Sequence, residues 1–397
     1  MKILLINDHG SCCGGAENYV FNLIAALKDS GHDVRLFSSD TSLHNQPLAA
    51  DYMFKINSRF KNRTFGKLKK LFNITAYFLL RKVIKEFRPD VVHIHMFLWY
   101  CSPAVLLAIK GAPVFITLHE YGFFCPTLMK FIIRNNSICT CKPGLCCVKN
   151  GCVHLPGLLL FLMQRWLVFK MIDKVKCWLP PSSYPAGLLT EIGITNYKVL
   201  PYGFDLDQYP FIPVSSRPAS KKILFLGRID LSKGGMVLVE AFNLLLKEMP
   251  DAQLLIVGEG TQKKSLEEKV KELNISPWVE FRGWAKSETI GDLHRSVNLL
   301  VAPSLWPDNL PLVICESMLW GTPVLASRVG GIPDLLGGIE GCLFRAGAYF
   351  ELAKAMESIL TDSAVAEKIS ITARAKAENM LDCRKHIDEI VHSYTEK

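Results

Sequence analysis

The sequence predicts an α/β protein of two lobes, each a mostly parallel sheet covered by helices on both faces. Three observations carry this. Short apolar runs rich in Val, Ile and Leu alternate with longer helical patterns from end to end, the pattern of strands buried on both faces by crossover helices. The alternation occurs twice, on either side of a stretch at 202–222 with three prolines and no amphipathic period, which reads as a linker. At 397 residues and 49% hydrophobic composition, the chain exceeds one core of ordinary size and can fill two.

In the first series the predicted strands are KILLIN (2–7), VRLFS (34–38), VVHIH (91–95), VFITL (114–118) and CWLP (177–180), with a helix over 15–31 after the first. The second series reads ILFLG (223–227), LLIVG (254–258), VEFRG (279–283), LLVAP (299–303), PVLAS (323–327) and GCLF (341–344). The expected division is a first domain over 1–201, a linker over 202–222 and a second domain over 223–397. The tail from about 363 is helical in pattern and is expected to pack outside the second sheet.

Composition narrows the class. The opening MKILLIND meets Asp8 too soon for the apolar core of a signal peptide, so a cytoplasmic chain is expected. The apolar run LLLFLM (158–163) stops at Gln164 and Arg165, well short of the roughly 18 residues of a spanning helix. Of the net charge of +9, the segment from Lys55 to Arg88 alone carries +10, with eleven Lys or Arg against Glu86. The basicity therefore belongs to one local surface. Thirteen cysteines, an odd number, argue against a complete disulfide framework.

The sharpest chemical signal is GRIDLSKGG, Gly227–Gly235, where a strand ends and a helix begins. Ligands of doubly wound sheets bind at that edge. Arg228 offers a fork of donors and Lys233 a mobile charge, both suited to a diphosphate, while Gly234 and Gly235 let backbone amides approach an anion. An ordinary basic loop with a glycine turn has the same composition. In APSLWPDNLPLVICESMLWGTPVLAS (302–327), Asp308 stands in the loop and Glu316 on the helix. A carboxylate there can accept two hydrogen bonds from vicinal hydroxyls of a ribose or hexose; a helix-capping Asp and a solvated Glu are the plainer alternatives.

Gly227-Arg228 with Lys233-Gly234, two acids with seven residues between them, GTPVLAS and GGIPD (330–334) resemble the donor-binding half of the family 4 retaining glycosyltransferases. GGAENYV (14–20), GHDV (31–34), DVVHIH (90–95), TLHEY (117–121) and VLPYGFD (199–205) resemble its other half in the same order. The resemblance implies the GT-B fold, two Rossmann-like domains with mostly parallel sheets facing a central cleft, with acceptor bound by the first domain and nucleotide-sugar donor by the second. It implies that Arg228 and Lys233 hold the donor diphosphate and stabilise its growing charge, and that Glu316 grips the ribose. Asp308 and His119 would lie beside the transferred sugar, with Gly227, Gly234, Asn309, Leu310 and Leu312 lining the donor site. Gly14 and Gly15 would face the diphosphate across the cleft. Two departures stand out: the first acid, usually Glu, is Asp308, and the adjoining turn is Asn309-Leu310-Pro311, whose proline has no amide proton. The implied reaction is retention by front-face attack. No DxD-like acidic site accompanies the donor loop, so no metal cofactor is expected for the chemistry.

The stretch 66–88 reads as a helix with Lys67, Lys70, Arg81, Lys85 and Arg88 on one face and Leu71, Phe78 and Leu79 on another. Such a face suits peripheral contact of residues 55–88 with anionic lipid on the inner side of the membrane, or simply solvent. Nucleic acid is not expected, since no recognition module accompanies the charge. Cys125, Cys139, Cys141, Cys146, Cys147 and Cys152 fall within one insertion over 125–152. Structural zinc suits these ligand types, although the usual two-residue spacers are missing; disulfides and unbridged thiols are the other readings. The expected partners are thus a nucleotide-sugar and a glycan or lipid-linked acceptor. A nucleotide-sugar epimerase and a non-catalytic nucleotide-sugar binder are the rival functions.

Overall fold

A computed structural model describes residues 1–11, 14–41, 47–56 and 69–396. Along the chain come β1 (Lys2–Ile6), α1 (Gly15–Asp29), β2 (Asp33–Ser39), β3 (Tyr52–Phe54), α2 (Ile74–Phe87), β4 (Val91–Ile94), α3 (Ala104–Ala108) and β5 (Val114–Thr117). After them follow a small antiparallel pair, β6 (Phe131–Ile132) and β7 (Ser137–Ile138), then α4 (Leu145–Lys149), α5 (Leu155–Phe169), β8 (Val175–Leu179) and α6 (Ser183–Glu191). The second series contains β9 (Lys222–Leu226), α7 (Gly235–Glu248), β10 (Gln253–Val257), α8 (Lys263–Glu272), β11 (Val279–Arg282), α9 (Ile290–Arg295) and β12 (Leu299–Ala302). It closes with α10 (Leu312–Leu319), β13 (Val324–Ser327), α11 (Ile332–Leu336), β14 (Leu343–Phe344), α12 (Tyr349–Thr361), α13 (Ser363–Met380) and α14 (Cys383–Thr395).

The chain forms two compact units: Met1–Lys130, Thr140–Gly203 and Cys383–Lys397 make the first, Phe131–Cys139 and Phe204–Asp382 the second. Each holds a six-stranded parallel sheet, ordered β3-β2-β1-β4-β5-β8 and β11-β10-β9-β12-β13-β14. In both, the first strand lies at the centre and the order reverses beside it, which opens a ligand crevice at the strands' C-terminal ends. The central strands are apolar because both faces are covered: Ile3 to Ile6 are fully buried, as are Ile223 and Leu224. α1 buries Tyr19, Val20, Leu23 and Leu27, the spacing of one helical face.

Three expectations are corrected. The predicted helix over 66–88 is not continuous: Lys69 is helical, the chain turns at Lys70 and Leu71, and α2 starts at Ile74, where the Asn73 side chain accepts from the amides of Thr75 and Ala76 and caps it. Such a cap stabilises a helix start by about 1 kcal/mol. Leu71 is buried and Phe78 exposed, so the two do not share the proposed apolar face; Lys67 and most of 55–68 lie outside the described residues. The segment 204–222 is no loose linker, since buried Arg217 donates to the carbonyls of Ile212, His294, Val297 and Trp320 and fastens it to the second unit.

The third correction concerns the C-terminal boundary at 397. α13 packs on α10 in the second unit, as expected, but α14 belongs to the first, where it lies against α1. Tyr394 bonds His93 on β4, and His386 bonds Tyr19 on α1. Its buried residues, His386, Ile387, Ile390 and Tyr394, recur at helical spacing; that pattern says which face is buried but not against which sheet.

Candidate functional site

In the second unit the loop after β9 is shaped by glycines. Gly227 has φ +142, and Gly234, which caps α7, has φ +72; a Cβ on Gly234 would lie 1.9 Å from the carbonyl oxygen of Pro303. Only glycine allows that approach, which sets the α7 amides against the end of β12. Ser232 adds a second tie, its carbonyl accepting from Leu305 at 2.8 Å. Between these glycines Arg228 projects outward, its side chain 60% exposed, with Nη1 3.3 Å from the Asp230 carboxylate. Asp230 is itself held by the amide and hydroxyl of Thr261.

Lys233 and Asp308, 75 residues apart in sequence, meet at this edge. Lys233 Nζ donates to Asp308 Oδ2 at 2.7 Å and lies 5.1 Å from the centre of the Trp306 ring. Ser304 donates to the same carboxylate oxygen at 3.0 Å. Asp308 is buried and its backbone is clasped by the GGIPD turn: Gly331 donates to the Asp308 carbonyl at 2.7 Å, and Gly330, at φ +57, leaves no room there for a Cβ. The result is a cation fixed in place and an acid committed through one oxygen, both beside the N-terminal end of α7. Glu316 sits on α10, whose first residue is Leu312; Asn309 and Leu310 are buried just before it. Burial pushes the Glu316 carboxyl up to about 7, because an apolar setting penalises the charged form.

In the first unit the corresponding edge carries Asp8, after β1. Its buried carboxylate accepts from the amides of Trp99, Tyr100 and Cys101 at 2.7 to 2.9 Å and so holds the loop after β4. His119, after β5, spends both ring nitrogens on neighbours: Nε2 lies 3.0 Å from His95 Nδ1, and Nδ1 3.0 Å from the Tyr202 hydroxyl. His93 is likewise shared between Tyr394, at 2.6 Å, and Thr117, at 2.8 Å. Burial lowers His93 and His119 to about 3 and His95 well below the ordinary value, so the cluster is neutral. Beside it, burial with nearby Asp8 raises Glu120 to about 8, and burial also raises Glu17. Gly14 caps α1 in extended conformation, one turn from Glu17, and Gly15 begins the helix.

The residues expected to act together are thus partly joined. Lys233 pairs with Asp308; Arg228 and Gly227 occupy the same loop; Glu316 stands on the helix that follows. His119, Gly14 and Gly15 belong to the first unit. The sequence reading missed Asp8, His95, Tyr202, Glu120 and Ser304. HIH at 93–95, which closes β4, and HEY at 119–121, which follows β5, were the available signals.

Among the described residues no three His, Cys, Asp or Glu side chains are grouped to hold a metal. In the cysteine stretch Cys125 bonds Thr127, Cys146 donates to the Lys142 carbonyl, and Cys146 and Cys147 lie 4.0 Å apart as chain neighbours on α4. On α2, Arg81, Lys82 and Lys85 line an open hollow of about 610 Å³ with Lys110.

The chain matches known proteins along most of its length. Residues 13–208 match the family model described as Glycosyltransferase Family 4, and 212–376 that described as Glycosyl transferases group 1. It is similar to the glycogen synthase of Mycobacterium tuberculosis, 26% identical with 93% of this chain and 88% of that protein covered. The phosphatidyl-myo-inositol mannosyltransferase of Propionibacterium freudenreichii is 25% identical, with coverage of 88% and 83%. In fold it is similar to HepE of Anabaena, solved in complex with UDP and glucose, with a TM-score of 0.70, 19% identity and 99% of each chain covered.

Proposed function

The chain belongs to the family 4 glycosyltransferases and has the GT-B fold, and from that premise we propose that it is a retaining hexosyltransferase using a UDP- or GDP-sugar and a glycan or lipid-linked acceptor. The observation that carries this reading is the fixed Lys233–Asp308 pair, set with exposed Arg228 at the glycine-cornered switch point of the second sheet. That edge presents two cations and the α7 amides where a diphosphate would need them. HepE holds UDP and glucose in its structure, and the two relatives are named for building a glycan and a glycolipid, which supports surface polysaccharide or glycolipid synthesis as the setting.

In this reading the acceptor oxygen bonds to the anomeric carbon on the face the diphosphate leaves. The bond from that carbon to the phosphate oxygen breaks, and the departing oxygen takes the acceptor's proton. Arg228 and Lys233 stabilise the charge that develops on the diphosphate. Asp308 positions Lys233 through Oδ2 and accepts from a sugar hydroxyl through Oδ1; Glu316 accepts from the ribose. The cationic loop carries the role a metal would otherwise have, so we infer a metal-independent reaction. His119, with both nitrogens occupied, shapes the sugar site through its fixed position and backbone rather than by titrating. The basic residues of 55–88, including Arg81, Lys82 and Lys85, would favour an anionic membrane face.

A thermal-shift screen against UDP-, GDP-, ADP- and CMP-sugars tests the reading. The cognate donor at 100 times its Kd should stabilise the protein by about 2.7 kcal/mol; no stabilisation by any of them would overturn it.

A further inference from the structure

Between Glu120 and Asp173 the chain has no acidic residue, while Lys130, Arg134, Lys142, Lys149, Arg165 and Lys170 fall inside that stretch. α5 lies within it. One side of this helix is fixed to the first unit: Leu158, Phe161 and Val168 are buried, Gln164 donates to the carbonyls of Lys70 and Leu98, and Arg165 donates to that of Phe123. Another side carries Leu155, Leu159, Met163 and Trp166, at successive helical turns and 49 to 58% exposed. Leu145 on the neighbouring α4 is 66% exposed. Exposed Lys142, Lys149 and Lys170 accompany the stripe, Lys170 Nζ lying 5.8 Å from the Trp166 ring centre.

A soluble surface rarely leaves a row of large apolar side chains on one helix uncovered. At 15 residues the helix is about 22 Å long, too short to cross a hydrocarbon core of about 30 Å, and among the described residues no helix is long and apolar enough to span. An apolar stripe with Trp and Lys beside it suits a helix lying in the plane of the headgroups. Charge selects the occupant. A second copy of this face would set Lys142, Lys149 and Lys170 against the same charges with no acid between 120 and 173 to meet them, whereas anionic headgroups are complementary.

We propose that α4 and α5 form an interfacial docking surface for an anionic lipid bilayer, with Leu155, Leu159, Met163 and Trp166 entering the headgroup boundary. The surface and the donor loop belong to different units, and its test reads vesicle binding, independent of any sugar transfer. Flotation with vesicles of one part phosphatidylglycerol to two parts phosphatidylcholine should carry the wild-type protein, and vesicles of phosphatidylcholine alone should carry much less. The variant L159Q/M163Q/W166Q and the variant K142E/K149E/K170E should each bind the mixed vesicles at least about tenfold more weakly, with melting temperature and nucleotide-sugar stabilisation unchanged. The proposal is overturned if the wild type fails to float, if L159Q/M163Q/W166Q floats like the wild type, or if that variant's only effect is to dissociate a dimer seen by sedimentation.

Discussion

Replacing Gly234 by Ala probes the corner on which the donor loop turns. Two costs are readable. The residue has φ +72, and an L side chain in the left-handed region costs about 1–2 kcal/mol. The added Cβ would also lie 1.9 Å from the Pro303 carbonyl oxygen, so α7 or the end of β12 must shift, at about 1–3 kcal/mol. The expected loss is about 2–5 kcal/mol. Gly31 separates the two contributions, having φ +82 with nothing within 4 Å of its Cβ position; Gly31→Ala should lose only about 1–2 kcal/mol. At roughly 2–4 °C per kcal/mol for units of this size, calorimetry should show a drop of about 2–8 °C for Gly31→Ala and about 4–20 °C for Gly234→Ala. Only the second should weaken nucleotide-sugar binding, because only it displaces Lys233. Equal melting shifts for the two variants, with binding intact in both, would refute the close approach.

Two pH effects follow from burial. Glu316 has its folded pKa raised to about 7 from 4.5, so stability should fall as pH rises between those values, as the unfolded chain sheds its proton first. In the same range nucleotide-sugar affinity should rise as the carboxylate forms; Glu316→Gln should flatten both trends in calorimetric titrations across it. His93 and His119, lowered to about 3 from 6.5, act in the opposite direction: stability should be lost as pH falls from 6.5 towards 3, because the unfolded imidazoles take protons first. The first unit should therefore unfold earlier than the second in an acid titration followed by hydrogen exchange, and a His93→Gln variant should show a shallower acid dependence.

Much of the architecture was legible because the strands that matter are buried on both faces. Ile3–Ile6 and Ile223–Phe225 are apolar runs for that reason, and each is followed by the glycines its turn needs. β3 escaped notice because Tyr52–Phe54 is a three-residue edge strand. The placement of α14 was not legible either: its amphipathic pattern is satisfied equally by any apolar partner, and only the bonds of Tyr394 to His93 and His386 to Tyr19 show which it has. At the site, local motifs located Arg228, Lys233 and Asp308, since strand-end loops carry their own signature. Their pairing was not written there, because the contact between Lys233 and Asp308 exists only once β9 and β12 lie side by side. Asp8 was hidden for a related reason: its three partners are backbone amides, which leave no trace in side-chain composition. His119 was found by its motif, yet its occupied nitrogens depend on His95 and Tyr202, one on another strand end and one 83 residues away.

The central claim, that the loop after β9 stabilises a departing diphosphate, is tested most directly at Arg228, which is 60% exposed and can be truncated without opening the core. The measurement is kcat/KM for sugar transfer by Arg228→Ala, with melting temperature as the control for folding. A fall of about 100- to 1,000-fold, the loss of about 2.7–4 kcal/mol of charge stabilisation, is predicted at unchanged stability. Transfer within about twofold of the wild type, below 0.5 kcal/mol by the relation between rate and barrier, would contradict it.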